Sequence, residues 1–193
     1  MIKKHANQIG AFLALFWLPL GVSAHSSGIE SGFVHPVAGL DHLLAMLAVG
    51  VWSTKLGAPR WVFPAVFLFG MNASSYVSAT GMFTLPYIES GILVSIFALS
   101  ILIAAKTRHS IWTALSCVMV FALFHGTAHG LELPLASSLL EYQSGFSVTC
   151  LLLILLGQRL PLLVSKLDRP RITERRYHYL AFLLAALGLV VAV

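Results

Sequence analysis

Two short stretches hold most of the side chains that can do chemistry. The first, His35-Pro36-Val37-Ala38-Gly39-Leu40-Asp41-His42, brings two imidazoles and a carboxylate into eight residues. The second, Phe124-His125-Gly126-Thr127-Ala128-His129-Gly130-Leu131-Glu132, spaces His125, His129 and Glu132 at i, i+4 and i+7. On a helix that spacing gathers two imidazoles and a carboxylate into one stripe. Two imidazoles one turn apart form a ready clamp for a borderline divalent cation, and a carboxylate adds a third donor.

In the first stretch, Pro36 suits the first position of a helix, where its missing N–H needs no partner. His35 and His42 are seven apart and share a face provided the helix already includes His35, which puts His42 roughly 10 Å further along the axis. Met46 lies one turn below His42. Asp41 sits about 100° round from His42, either as a ligand or as the acceptor that fixes an imidazole tautomer.

Weaker candidates surround this set. Glu89 opens a helix on the same side, although compensation of the helix dipole explains an acid there equally well. His25 follows Val22-Ser23-Ala24; if the chain is cut at that point, its amine and imidazole face an arriving cation, the alternative being a tail without function. Gly126 and Gly130 are four apart and permit close approach of another helix. Asn72, Ser75 and Ser78 either line a polar path or make bonds between helices. His109 and His178 stand among basic residues and read as solvated.

The elements that position these residues follow from composition. Of the 193 residues, 58% are apolar and only 10% charged, with a mean hydropathy of +0.88. A water-soluble domain carries about 45–50% apolar and about 25% charged residues, so too few charges are present to cover a soluble surface. The chain belongs in a membrane. It has no room for a separate soluble domain and no G-x-x-x-x-G-K-[ST] loop, which excludes nucleotide-driven pumping by this chain alone.

Met1–Ala24 has a basic head at Lys3 and Lys4, an apolar run from Ile9 to Leu20 and a small-residue exit. That order predicts a signal peptide cut before His25, leaving a single domain over residues 25–193. An uncleaved first helix is the alternative, and both place His25 outside the cytoplasm. Apolar stretches bounded by charge, Pro or Gly predict six transmembrane helices: about Val37–Thr54, Trp61–Ala79, Pro86–Ala105, Ile111–Gly130, Gly145–Leu163 and Tyr177–Val193. The fold class is all-α, a polytopic helix bundle, because lipid cannot satisfy the open edges of a sheet. Cys117 and Cys150 fall in opposite leaflets and read as packing residues, so no disulfide is expected.

All 12 Lys and Arg residues then fall on one side, while Glu30, Asp41, Glu89, Glu132 and Glu141 lie in or near the other half. The positive-inside rule makes the basic side cytoplasmic and both mature termini outward-facing. It also accounts for the pI near 9.5 without nucleic acid as a partner. The basic loop Arg159–Arg176 is explained by topology, or by binding of anionic lipid or a partner. Three helices followed by three raise the idea of an inverted repeat, but both polar motifs lie on the same face of the membrane, which does not support it. Ionisable groups in lipid cost about 2.5–3.5 kcal/mol each on insertion scales, so a cluster of them points to function.

At these motifs the chain resembles the HupE/UreJ family of bacterial membrane proteins, hydrogenase and urease accessory proteins regarded as nickel permeases. The likeness runs through His35-Pro36, Gly39, Asp41-His42, Met46 and Val49-Gly50, then Phe124-His125-Gly126, Ala128-His129-Gly130 and Glu132. The resemblance implies a multi-pass protein of the cytoplasmic membrane that admits Ni²⁺, or Co²⁺, from the periplasm. It marks His35, Asp41, His42, His125, His129 and Glu132 as the characteristic polar residues, and implies no organic cofactor. The leading reading is therefore a transporter rather than an enzyme. Its ligands must be deprotonated, so uptake should weaken below roughly pH 6.

Two other readings remain at this point. Clustered histidines and acids permit an intramembrane zinc-dependent hydrolase. Against it, neither an H-E-x-x-H nor a G-x-S-x-G motif is present. A membrane sensor or chaperone would bind metal and hand it to a cytoplasmic metallochaperone docked on the basic loop.

Overall fold

The computed structural model describes residues 28–105, 109–133, 138–167 and 175–192. The expected signal peptide and His25 lie outside the described residues. Within them the chain is all-helical: α1 (Gly28–Ala38), α2 (Leu40–Lys55), α3 (Val62–Ala79), α4 (Ile88–Ala104), α5 (Ile111–Leu131), α6 (Leu139–Leu167) and α7 (Arg175–Val191). Three stretches, Val62–Ala79, Ile111–Leu131 and Leu139–Val164, are long and apolar enough to cross a membrane, and α1 with α2 make a fourth when taken as one bent span. Large apolar side chains such as Phe69, Trp112, Leu140 and Phe182 are at least 70% exposed. On a membrane protein that is the surface expected to meet lipid, whose tails are as apolar as the side chains.

The expected first helix is in fact two. Residues 28–38 are already helical, and the axis turns by 77° between Ala38 and Leu40. Gly39 makes the turn with φ −87° and ψ 110°, an extended conformation at the N-cap of α2. Pro36 therefore sits near the C-terminal end of α1 and not at the start of a helix. Lacking an N–H, it already weakens the last turn of α1, which makes this a natural place for the break.

The remaining bounds shift less, except in α6. That helix begins at Leu139, six residues before the expected Gly145, and continues through Pro161 to Leu167. Gly145 is not a helix breaker here but a contact point: a Cβ on it would lie 2.2 Å from the carbonyl oxygen of Ile29. Arg159 accordingly lies within α6 rather than in a loop. Helix α4 starts at Ile88 rather than Pro86, behind a left-handed Tyr87 with φ 55°.

Helix α2 is the centre of the bundle. From His42 to Ser53 it is buried on every side except at Leu47, as expected for a helix that is apolar all round and encased by others. It packs on α6 and α4, and α1 packs on α6. Glycines make these approaches possible: a Cβ on Gly50 would lie 2.1 Å from Ile154 O, and one on Gly157 would lie 2.3 Å from Leu47 O. Helices α3 and α5 form the other tight pair, and α4 joins α5 to α7.

Polar side chains inside the bundle bond across it, as an apolar surrounding requires. Asn72 Nδ2 donates to Ser147 Oγ at 2.9 Å, Ser78 Oγ to Thr127 O at 3.2 Å and Thr149 Oγ1 to Phe33 O at 3.0 Å. Asn72 and Ser78 thus serve helix packing, while Ser75 Oγ is buried without a hydrogen-bond partner. Lys55 Nζ donates to Ile103 O at 2.6 Å and also to Ala105 O. A cation there caps the C-terminal carbonyls of α4. Both cysteines are free, and Cys150 Sγ lies 3.8 Å from Met71 Sδ.

Candidate metal centre

Helix α5 delivers its last turns into the bundle through Gly126 and Gly130. A Cβ on Gly126 would lie 2.0 Å from Met71 O, and one on Gly130 would lie 2.0 Å from Ser78 Oγ. These glycines seat α5 against α3 and turn the opposite face, with His125 and His129, inward. His125 is fully buried and His129 is 1% exposed. Glu132 follows as the C-cap residue of α5, its side chain 45% exposed.

The α1–α2 bend brings the other motif to the same place. With the axis broken at Gly39, His35 and His42 do not share a helical face as a continuous helix would require. Their rings nevertheless stand 6.0 Å apart, closer than the axial separation of an unbroken helix. Helix α2 packs on α4 and α6, and α5 on α3 and α4; the His42 ring of α2 meets the His125 and His129 rings of α5.

The rings form a ladder. Glu132 Oε2 lies 3.0 Å from His35 Nε2 and 3.7 Å from His129 Nδ1. From there the ring centroids step 4.9 Å from His35 to His129, 4.4 Å from His129 to His42 and 5.1 Å from His42 to His125. The side chain of His35 is 33% exposed, whereas His129, His42 and His125 are all buried, His125 completely. Ligand atoms of His35, His129 and Glu132 all lie within 4.8 Å of one another. Donors on opposite sides of a first-row ion bound at about 2.1 Å are about 4.2 Å apart, so this trio needs only a small contraction to close on a cation.

Asp41 does not join that trio. Its Oδ1 lies 2.8 Å from His42 Nδ1, the arrangement of an acceptor that fixes a tautomer and leaves the other ring nitrogen as a donor atom. His42 Nε2 is indeed buried with no hydrogen bond, as are His125 Nδ1 and both ring nitrogens of His129. Buried polar atoms are normally paired, so several unpaired nitrogens on neighbouring rings mark a place prepared for something else. The hydrogen bond from His35 holds the Glu132 carboxyl below its ordinary value of 4.5, so it is ionised at neutral pH.

Of the weaker candidates, Met46 is wholly buried in the core beside this set in sequence. Glu89 is exposed in the first turn of α4, and no ion pair of it is found among the described residues. His109 departs from its expected solvated state: it is half-buried, its Nε2 is enclosed, and its ring lies 6.4 Å from Trp52. His178 is exposed, as expected.

Three neighbours had no sequence signal. Phe146 on α6 stacks 3.8 Å from His129, Tyr142 stands 6.0 Å from His35, and Ser95 on α4 lies 3.3 Å from His125 Nε2. Each comes from a helix with no recognisable motif. Only the contacts reveal them.

A family model described as HupE / UreJ protein matches residues 13–191. The chain belongs to the HupE/UreJ family. It is also 36% identical over 137 residues to Protein HupE of Rhizobium leguminosarum bv. viciae, covering 70% of this chain and 71% of that protein. No solved structure matches the chain significantly. HupE/UreJ proteins are hydrogenase and urease accessory proteins connected with nickel transport, permease-type and not enzymes. Membership therefore removes the hydrolase alternative.

Proposed function

We propose that this HupE/UreJ member is a secondary transporter or facilitator that imports a divalent transition-metal ion, Ni²⁺ above all, from periplasm to cytoplasm. The observation that carries this reading is the ladder itself: four imidazoles at ring spacings of 4.4–5.1 Å between successive members, leading from a half-exposed carboxylate to a fully buried ring. His35, His129 and Glu132 capture the ion, His42 and His125 receive it, and Asp41 orients His42. Met46 offers a softer thioether donor below. Borderline N/O ligands also accept Co²⁺, Zn²⁺ and Cu²⁺, so selectivity rests on geometry and supply.

The same proposal places the protein in the bacterial cytoplasmic membrane with its signal peptide removed, six spans and both mature termini periplasmic, which puts Glu132 at the periplasmic surface. Lys and Arg distribution supports that orientation. Passage of the ion ends at the basic side, where a cytoplasmic metallochaperone would collect it.

The test is uptake of radioactive nickel by cells expressing wild type or His42→Ala at equal levels. Uptake should fall to background in the variant; equal uptake removes His42 from the mechanism. Purified protein in liposomes separates transport from sensing, because a sensor loads metal without moving it across. Sequencing of the mature N-terminus should begin at His25.

A further inference from the structure

We propose that Ser95 of α4 is a positioning residue that fixes which nitrogen of His125 is presented to the cation. The proposal rests on the transport reading above for its purpose, but not for its geometry. Ser95 is fully buried, and its hydroxyl lies between two partners at unequal distances. Its Oγ donates to Ile92 O at 2.6 Å and lies 3.3 Å from His125 Nε2. A hydroxyl has one hydrogen and two lone pairs. The shorter bond, to a carbonyl one turn earlier in the same helix, takes the hydrogen. What Ser95 turns toward His125 is therefore a lone pair, and Nε2 must carry the proton to bond with it.

The consequence falls on the other side of the ring. With Nε2 protonated, His125 Nδ1 is the nitrogen with the free electron pair, and it is buried without a hydrogen bond. The opposite tautomer would place an N–H donor at Nδ1, enclosed and unpaired, and would set two lone pairs against each other at Nε2. Nδ1 lacks a partner in either case, so the difference lies at Nε2: one tautomer makes a hydrogen bond to Ser95 Oγ and the other sets lone pair against lone pair, which decides the tautomer. Ser95 thus does for His125 what Asp41 does for His42, although the two imidazoles expose different nitrogens: Nδ1 in one and Nε2 in the other. A hydroxyl serves here because it adds no charge to the most deeply buried rung, where an unpaired carboxylate would be expensive.

The same helix supplies the control. Ser100 is also buried and donates to the carbonyl one turn back, Ile96 O at 2.8 Å. Replacing it removes an equivalent backbone bond without touching the histidine ladder.

Full-length protein labelled with ¹⁵N at histidine, in nanodiscs without metal, gives the protonation of each ring nitrogen by long-range proton–nitrogen correlation, with His125 assigned from the loss of its signal in His125→Gln. Wild type should show His125 protonated at Nε2 alone, Ser95→Ala a mixture of tautomers, and Ser100→Ala the wild-type pattern. Nickel affinity of Ser95→Ala should drop about tenfold and that of Ser100→Ala should not change. A wild-type His125 protonated at Nδ1 overturns the proposal even if no variant folds. So do unchanged His125 signals in Ser95→Ala, or equal loss of affinity in both serine variants. Absence of nickel binding by wild type would remove the transport reading alone, leaving the nitrogen assignment to the spectra.

Discussion

Asp41 and His42 are neighbours in sequence whose side chains also pair in space, Oδ1 to Nδ1 at 2.8 Å, at the first turn of α2. Neighbours on a helix point about 100° apart, so this contact needs the freedom of a helix start. Gly39 provides it. A Cβ at that position would lie 2.9 Å from Asp41 Oδ1 and 3.2 Å from His42 Nδ1.

Gly39→Ala should therefore act on the pair and not on the backbone. Its φ of −87° is open to any residue, so strain does not arise from the main chain. The added methyl presses on both side chains and turns His42 away from His129. Nickel affinity should fall roughly tenfold, on the scale of losing an outer hydrogen bond, while the melting temperature in detergent changes little. A large drop in melting temperature with affinity retained would show that the glycine serves the bend instead.

Asp41→Ala should weaken nickel binding by about 10–100-fold, since it frees the His42 ring and its tautomer. Asp41→Asn retains an oxygen that can accept from Nδ1–H and should lose less. The comparison is a calorimetric titration of both variants. If both lose binding completely and equally, Asp41 is a direct ligand and its charge is the essential property.

How much of this was legible beforehand differs between the motifs. In the second, helical spacing alone placed His125 and His129 on one stripe, because α5 runs unbroken from Ile111 to Leu131. In the first, the same rule failed at Gly39, where one residue turns the chain by 77°. Glycine was ambiguous throughout. At Gly145 the sequence pattern predicts a boundary, whereas inside the bundle the residue is a contact point, and the two uses are identical in sequence. Ser95 and Phe146 were invisible because each is an ordinary residue of an apolar helix, given meaning only by a histidine on another.

Gly126→Ala and Gly130→Ala probe the seat of α5. Their added methyls would meet Met71 O at 2.0 Å and Ser78 Oγ at 2.0 Å. At Gly126 the obstacle is backbone, so α3 and α5 must part, at a cost of about 2 kcal/mol or more. At Gly130 the obstacle is a hydroxyl that can rotate, but Ser75 O stands 2.3 Å away behind it. Both variants should melt earlier, Gly126→Ala more so, and both should bind nickel more weakly because His125 and His129 move with the helix. Gly57→Ala is the comparison: nothing lies within 4 Å of its Cβ, and only its φ of 67° opposes the change. It should lower stability by about 1 kcal/mol and leave nickel binding intact.

The carboxylate at the ladder's outer end makes stability depend on pH in a definite sense. Glu132 is held below 4.5, first by the hydrogen bond from His35 and against the opposing effect of partial burial. A carboxyl more acidic in the folded chain than in the unfolded one stabilises the fold above the unfolded value, and that contribution disappears as pH falls through the folded value. The side chain is 45% exposed, so solvent and salt screen the pair and the effect stays small, below about 1 kcal/mol. Wild type should therefore melt slightly above Glu132→Gln at neutral pH, and the gap should close as pH falls from 4.5 toward the lower folded value. Thermal melts of both proteins in metal-free detergent across that interval measure it. A gap that widens on acidification would mean that His35 does not pair with Glu132, and the trio proposed to receive the ion would lose its carboxylate.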